Sequence, residues 1–558
     1  MDKTQNTEKK LRIGILIRDV ERLGNWEFRI LKGIIEHPHL DLVVFFKDGR
    51  KHTSSLRSRL KRSLFAPLKT LTNVLYALQM KVEAVLYKPK PTVDADDIIN
   101  KTKNIETICL TPEKKGFVDF FSKEEAEKVK TYDLDIILRH EFNIIRGDIL
   151  EAARYGIWSY HHADNAINRG LPPGFWEIFN NEPCCGVTLQ QLTSELDGGL
   201  VIDKAWFNWD WPFSKTSYEL LEKSVVLLFK NIDKLLREGK IETKKSLTYY
   251  NTLYKQPNLK CLLQYMARYY LNIFTRIPEK FFPMKRLNCW ALFIGKGNFL
   301  ESTLFRINPI TMPKTEFWAD PFLYRHDNQL YAFFENYSYE TKKGKISSGK
   351  VIESEKGIYS IVDVRDALNV DYHLSYPQIF AEDGEIFLMP ETCQSRRLEI
   401  YRSVQFPEKW ELYATAFDGE EIVDTTYFRD ESGNRWLLLN KGLEPCEAEL
   451  YVYQIDSLKL ENIIAHKLNP VLIDCRKARS GGAIFKHENE YYRPSQINTH
   501  GMYGKGLQIN KIKKLTLEEF EDEAVISINP NFRKGLVGVH HLHQLEGYFV
   551  FDACFKKM

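Results

Sequence analysis

Residues 156–178, GIWSYHHADNAINRGLPPGFWEI, run from an apolar segment into a loop crowded with two adjacent histidines, an aspartate, an arginine, glycines and prolines. What surrounds the loop decides how it is read. LDIILRH (134–140) has the composition of a buried strand, IIRGDILEAARYG (144–156) reads as a helix, and IWSYH (157–161) reads as the next strand. In an open parallel sheet, ligands gather at the carboxyl ends of strands, so the polar cluster after IWSYH falls where chemistry is expected.

Upstream, the rhythm continues. LRIGILI (11–17), a helical NWEFRILKGIIEH (25–37), LDLVVFFKD (40–48), EAVLY (83–87) and ETICL (106–110) alternate strand and helix, the pattern of a mostly parallel α/β sheet. The basic, periodic segment 51–81 reads as a solvated helix pair with one apolar stripe, or as a helix touching a membrane surface. Downstream, CCGVTLQQL (184–192) is a further strand, followed by TSELDGGLVIDKAWF (193–207), whose DGG forms a turn carrying Asp197. Residues 214–240 have a serine N-cap candidate, apolar residues at helical spacing and a terminal glycine, and predict one long helix. CLLQYMARYYLNIFTRI (261–277) reads as a linker helix between domains.

The last 270 residues follow a different plan. DPFLYRHDNQLYAFFE from 320, YPQIFAEDGEIFLMPE from 376, DTTYFRDESGNRWLLLN from 424, GGAIFKHENEYYRPSQ from 481 and GVHHLHQLEGYFVFDA from 538 each pair two apolar runs across a polar turn. The turns DN, DG, ESGN, EN and EG suit tight hairpins. Spacings of 56, 48, 57 and 57 residues leave room for four strands per unit, which predicts five blades around an axis. Polar residues on the innermost strands would face a shared funnel. Asp320, Glu335, Glu391, Asp424, Asn440, Arg493, Gln496 and Asp552 are the candidates, and their recurrence favours a pocket for a hydroxyl-rich ligand.

Bulk properties narrow the function. A chain of 558 residues, 44% hydrophobic and 27% charged, is folded and multidomain, and a formal net charge of +3 disfavours nucleic acid as a partner. The N-terminus lacks the apolar stretch of a signal peptide, which leads to the expectation of a cytoplasmic protein. Nine scattered cysteines, without paired spacing, fit reduced thiols and no metal site.

The order of His161, Arg169-Gly170, Pro172-Pro173, Phe175-Trp176-Glu177, Gly186-Val187-Thr188 and Leu196-Asp197-Gly198-Gly199 resembles the formyltransferase family, over about residues 12–205. The resemblance implies a Rossmann-type α/β domain, formyl-tetrahydrofolate as donor, and attack of an amine on a formyl carbonyl. His161 would stabilise the developing negative charge, and Asp197 would orient it and accept a proton. Ser159 stands where the family has an asparagine, so one oxyanion donor is weakened. His162, Asp164 and Arg169 are substrate-binding candidates beside it, Arg169 through bidentate grip of a phosphate or carboxylate; an ordered polar loop is the other reading of His162 and Asp164.

WADPFLY, HLSYPQIF, FLMPET, FPEKW, YRPSQ and YGKG resemble the front domain of plant glucosamine inositolphosphorylceramide transferases and, more distantly, five-bladed glycoside hydrolases. That resemblance implies an acid at Asp320, with Glu391 as a possible partner, while Ser375-Tyr376-Pro377 occupies the place of a second-blade aspartate. The expected organisation is a tail (1–10), a formyltransferase-like α/β domain (11–212), a helical linker (213–285) and an all-β five-bladed propeller (286–558). The expected activity is acyl transfer to an amino sugar or nucleotide-linked sugar in surface-polysaccharide biosynthesis. The alternatives are glycosyl transfer or hydrolysis by the propeller, and a non-catalytic glycan-binding protein.

Overall fold

A computed structural model describes residues 10–50, 67–87, 89–194, 199–247, 249–281, 289–442 and 446–556. The chain forms two compact units, Met1–Ala205 with Trp209–Tyr270, and Trp206–Asn208 with Leu271–Met558.

The strands of the first unit are β1 (Leu11–Ile17), β2 (Leu40–Asp48), β3 (Glu106–Leu110), β4 (Glu113–Lys115), β5 (Val118–Phe121), β6 (Ile136–Arg139), β7 (Ile144–Gly147), β8 (Ile157–His161), β9 (Cys185–Gln191) and β10 (Leu200–Phe207). Seven build one sheet in the order β10-β9-β8-β6-β1-β2-β3. The run from β3 to β8 is parallel, and β9 returns antiparallel to β8. Ile13, Ile15, Leu16, Val44, Phe46, Ile136 and Ile137 are all buried, because a parallel sheet covered on both faces needs continuous apolar strands rather than alternating ones.

The α-helices among the described residues are α1 (Asn25–Glu36), α2 (Pro67–Leu86), α3 (Ala95–Thr102), α4 (Lys123–Lys130), α5 (Phe175–Asn180), α6 (Phe213–Glu238) and α7 (Leu259–Phe281). α1 buries Phe28, Ile30, Leu31 and Ile34 along one stripe and packs on β2 and α6. α6 ends where Gly239 takes a left-handed φ of 66°, the conformation expected of its terminal glycine.

Three local expectations are corrected. Residues 144–156 do not form a helix: β-branched Ile144 and Ile145 enter strand β7, which pairs with β5, and Gly147 at φ 98° turns the chain into a short 3-10 turn. EAVLY is not a strand but the end of α2, whose helical periodicity runs through Leu86. The N-cap of α6 is Pro212, not a serine, and no side chain caps it. Within the expected linker, α6 packs on β9 and α1 in the first unit.

The second unit is five antiparallel blades. The first holds β12 (Glu316–His326), β13 (Gln329–Ser338), β14 (Lys343–Glu353) and β15 (Tyr359–Leu368), after β11 (Cys289–Lys296). The second holds β16 (Ser375–Glu382), β17 (Glu385–Glu391), β18 (Leu398–Gln405) and β19 (Lys409–Ala416). The third holds β20 (Val423–Arg429), β21 (Arg435–Asn440), β22 (Glu449–Ile455), β23 (Ile463–Ala465) and β24 (Leu472–Ile473). The fourth holds β25 (Phe485–His487), β26 (Glu490–Thr499), β27 (Met502–Leu515) and β28 (Phe520–Ile528). The fifth joins β29 (Leu536–Gly538), β30 (Leu542–Leu545) and β31 (Tyr548–Phe555) to β11. β11 and β31 pair over eight residues, so opposite ends of the unit close the ring.

Turn chemistry agrees with the sequence. Asp327-Asn328, Asp383-Gly384, Glu488-Asn489 and Glu546-Gly547 each place two consecutive residues at positive φ, the signature of a type I′ hairpin. The innermost strands of the first three blades share a further device. One extra residue is inserted after Ala319, Ser375 and Val423, and Asp320, Tyr376 and Asp424 sit there at φ 49°, 45° and 45°.

Candidate functional site

In the first unit the parallel strands end together, and β6 and β8 bring Arg139 and His161 to the same edge. Between them opens a cleft of about 170 Å³ walled by Arg139, Asn143, Arg146, Tyr160, His161, Gln190 and Thr193 among others. His161 shares a hydrogen bond through Nε2 with the Asn168 carbonyl at 2.9 Å. Asn168 in turn donates from Nδ2 to Glu177 at 2.9 Å, so the loop that follows β8 fixes the ring.

Ser159 is buried beneath this edge. Arg139 Nη1 donates to its Oγ at 3.0 Å, and Nη2 donates to the Phe142 carbonyl at 2.8 Å, while Nε has no acceptor. Burial works against the Arg139 charge, only partly offset by Glu141 and Asp119, and its pKa is lowered. Those two acids are engaged elsewhere: Asp119 with Arg50 at 2.6 Å and Asn143 at 2.7 Å, and Glu141 with Arg18 at 2.6 Å. Among the described residues, Arg146 bonds to the carbonyls of Ile145 and Thr193. By contrast, buried Arg479 and Arg493 each face a carboxylate. The cleft therefore holds guanidinium donors on neutral oxygens, an arrangement suited to a developing or permanent negative charge.

The remaining candidates of this loop serve other ends. His162 leaves the cleft: its ring stacks on Tyr160 and meets Trp26 edge-on, and burial, with His161 and His140 nearby, depresses its pKa to about 3. It is a neutral packing residue, and its assignment to substrate is corrected. Asp164 pairs with Lys204 and caps Ala166. Arg169 donates to the carbonyls of Asn165 and Leu247 and lies over Tyr249, joining one loop to another. Asp197 lies outside the described residues, as does its turn. Arg139, Arg146 and Asn143 were missed by the sequence reading; the available signal was the polar end of LDIILRH at the carboxyl edge.

The axis of the propeller is a second candidate. Glu335, Glu391 and Asn440 stand at equivalent register positions, opposite Ala319, Ser375 and Val423 just before each bulge. Asp320, Glu335, Asp424, Asn440, Gln496 and Asp552 are buried. Asp424 accepts from Arg479 Nε at 2.6 Å and Gln496 Nε2 at 3.0 Å, and its own amide donates to Glu391 at 3.2 Å. Asp552 accepts the Asp320 amide at 2.9 Å and lies 2.7 Å from His540 Nδ1, while His540 Nε2 lies 3.5 Å from Asp320.

Protonation follows from this crowding. Burial raises the pKa of Asp320, Glu335 and Glu391, and the neighbouring carboxylates add to it. Burial opposes charge on His540, but Asp552 and Asp320 outweigh it and the imidazolium is favoured. The axis thus combines neutral acids with charged groups, a polar surface able to give and take hydrogen bonds. Arg493 is the exception: it is an ion-pair partner of Asp522 within the fourth blade, which corrects its assignment to the funnel. Arg479, His540, Tyr376 and Tyr503 were not identified from sequence, although the run HHLH was a visible signal for His540.

Comparison with known proteins divides along the same line. Residues 306–544 match the family model described as "Glucosamine inositolphosphorylceramide transferase 1, N-terminal". Glucosamine inositolphosphorylceramide transferase 1 of Oryza sativa subsp. japonica is 33% identical over 245 residues, 41% of this chain and 32% of that protein. Methionyl-tRNA formyltransferase of Rickettsia bellii is 31% identical over 143 residues, 24% of this chain and 46% of that protein. Among solved structures, a thermostable family-43 glycoside hydrolase overlaps 44% of this chain and 90% of its own at 13% identity, with a TM-score of 0.33. The chain spans about a third of the length of the transferase it matches and under half of the formyltransferase. The α/β unit is formyltransferase-like, and the second unit carries the transferase-type propeller domain.

Proposed function

We propose that the first unit is a cytoplasmic acyltransferase of formyl-transfer type, acting on the amine of an amino sugar or nucleotide-linked sugar in surface-polysaccharide assembly, and that the propeller holds carbohydrate. One observation carries the reading: His161 and the carboxylate-free guanidinium of Arg139 wall the same cleft at the carboxyl edge of the sheet. The donor set fits a carbonyl oxygen that gains negative charge. A cleft of about 170 Å³ takes the one-carbon group and the attacking amine, while a folate carrier would extend beyond it.

Formyl-tetrahydrofolate, when bound, supplies the activated formyl carbonyl. The chain's own groups do the rest. Arg139 donates to the carbonyl oxygen as negative charge develops there, a task the Ser159 hydroxyl shares only weakly because it already donates to the Tyr160 carbonyl at 3.3 Å. His161 donates Nε2–H to the Asn168 carbonyl, so Nδ1 would relay the proton that the amine loses as its new C–N bond forms and the donor nitrogen's bond to the formyl carbon breaks. Asp197 is proposed as the acceptor of that proton. On the propeller, Asp320, Glu335, Glu391 and Asp424 offer hydrogen bonds to sugar hydroxyls.

The test is mass spectrometry of nucleotide-linked amino sugars incubated with formyl-tetrahydrofolate and the full chain. A gain of one formyl group, lost in His161→Ala, supports the reading; no gain on any acceptor rejects it. A second reading is favoured by the packing of the axis: Glu391, whose pKa burial raises, accepts the Asp424 amide at 3.2 Å, and two such neighbouring carboxyl groups suit glycosidic-bond chemistry. Bond cleavage or sugar transfer that disappears in Asp320→Asn and Glu391→Gln would establish it.

A further inference from the structure

Helix α2 is inverted. Its buried positions are polar, Thr72, Gln79 and Glu83, whereas Leu68, Leu71, Val74, Leu78, Val82 and Val85 are between 40% and 69% exposed. The spacing of those six residues, three or four positions at each step, draws one continuous apolar stripe along a helix of 20 residues, about 30 Å long. A helix on a water-soluble surface has the opposite arrangement.

The inward face is satisfied. Gln79 Nε2 donates to Glu83 at 2.9 Å, Tyr265 donates to Glu83 at 2.7 Å, the Ser214 amide donates to it at 3.0 Å, and Tyr270 donates to Gln79 at 3.1 Å. A carboxylate and a carboxamide with this many partners hold the helix in its orientation, so the apolar stripe faces outward by construction. A contiguous exposed stripe of this kind marks a surface that meets an apolar medium or partner.

Charge selects the occupant. Residues 51–66, which lead into the helix, contain five Lys or Arg and no Asp or Glu, and α2 adds exposed Lys69 and Lys81. A second copy would bring the same excess of positive charge, whereas anionic headgroups neutralise it while the stripe enters the acyl boundary. Among the described residues no helix is long and apolar enough to cross a membrane, so the helix would lie in the surface rather than span it. We propose that α2 docks the protein on an anionic lipid bilayer, apolar stripe inward.

The experiment is co-sedimentation of the full chain with vesicles of phosphatidylcholine alone and with phosphatidylserine added. The parent should partition into the anionic vesicles, weaken steeply with added salt, and lose affinity by about tenfold or more in the triple variant Leu71→Gln, Leu78→Gln, Val82→Gln. The substituted side chains are exposed, so an unchanged melting temperature is expected and is checked alongside. No partition by the parent, equal partition into neutral vesicles, or equal binding by the triple variant would overturn the proposal. So would light scattering that shows a dimer dissociated by the triple variant without vesicle binding, which would make the stripe a self-association surface.

Discussion

At the scale of single residues, Arg139 is the side chain on which the chemistry turns. Among the described residues its hydrogen bonds go to neutral oxygens, and it lines the cleft that His161 also walls. Arg139→Gln should lower kcat of the proposed acyl transfer by about 10²- to 10³-fold with less change in KM, and Arg139→Lys should recover part of it, as measured by steady-state kinetics. A second residue-scale prediction concerns acid stability. His541 is buried with neither ring nitrogen hydrogen-bonded, and burial, with His540 and His543 nearby, lowers its pKa well below 6.5. The unfolded chain takes up a proton near 6.5 that the folded one refuses, so stability falls as pH drops through that value. His541→Phe, placed edge-on to Phe322 and Tyr376, should flatten the decline in melting temperature between pH 7 and 5. A residual slope should remain, because His543 is also depressed, to about 4.

Among the elements, hairpins and bulges carry most of the order. The DN, DG, EN and EG dipeptides were legible as turns because a tight hairpin demands two residues at positive φ, and Asn, Asp and Gly tolerate it best. Asn489→Ala, at φ 63°, should therefore cost about 1–2 kcal/mol in denaturant unfolding, with little effect on ligand binding. The bulges were not legible. An extra residue at Asp320, Tyr376 and Asp424 leaves no mark on hydrophobic alternation, yet it aims these side chains at the axis. The C-terminal end of helix α2 and strand β7 escaped for a related reason. EAVLY and IIRGDIL have local patterns compatible with either state, and the neighbours that decide, Tyr265 for α2 and β5 for β7, are distant in sequence.

For each unit as a whole, closure is the governing feature. The fifth blade is completed by β11, and Phe293 of that strand stacks on Phe551 at 4.9 Å in the core. Phe293→Ala should destabilise the propeller by about 3–5 kcal/mol and appear as a lower midpoint in calorimetry. Repeat spacing alone determined that the second unit is a propeller, and alternation of apolar strands and helices determined that the first is a parallel α/β sheet, because both patterns are local demands of burial. Sequence likewise placed His161 at a strand's carboxyl end. Only the tertiary structure turned His162 away from the cleft, gave Arg493 to Asp522 and set Arg139 in the cleft that His161 also walls. Those outcomes depend on which charges and rings lie within a few ångströms across distant segments, and that distance is not encoded by composition or spacing along the chain.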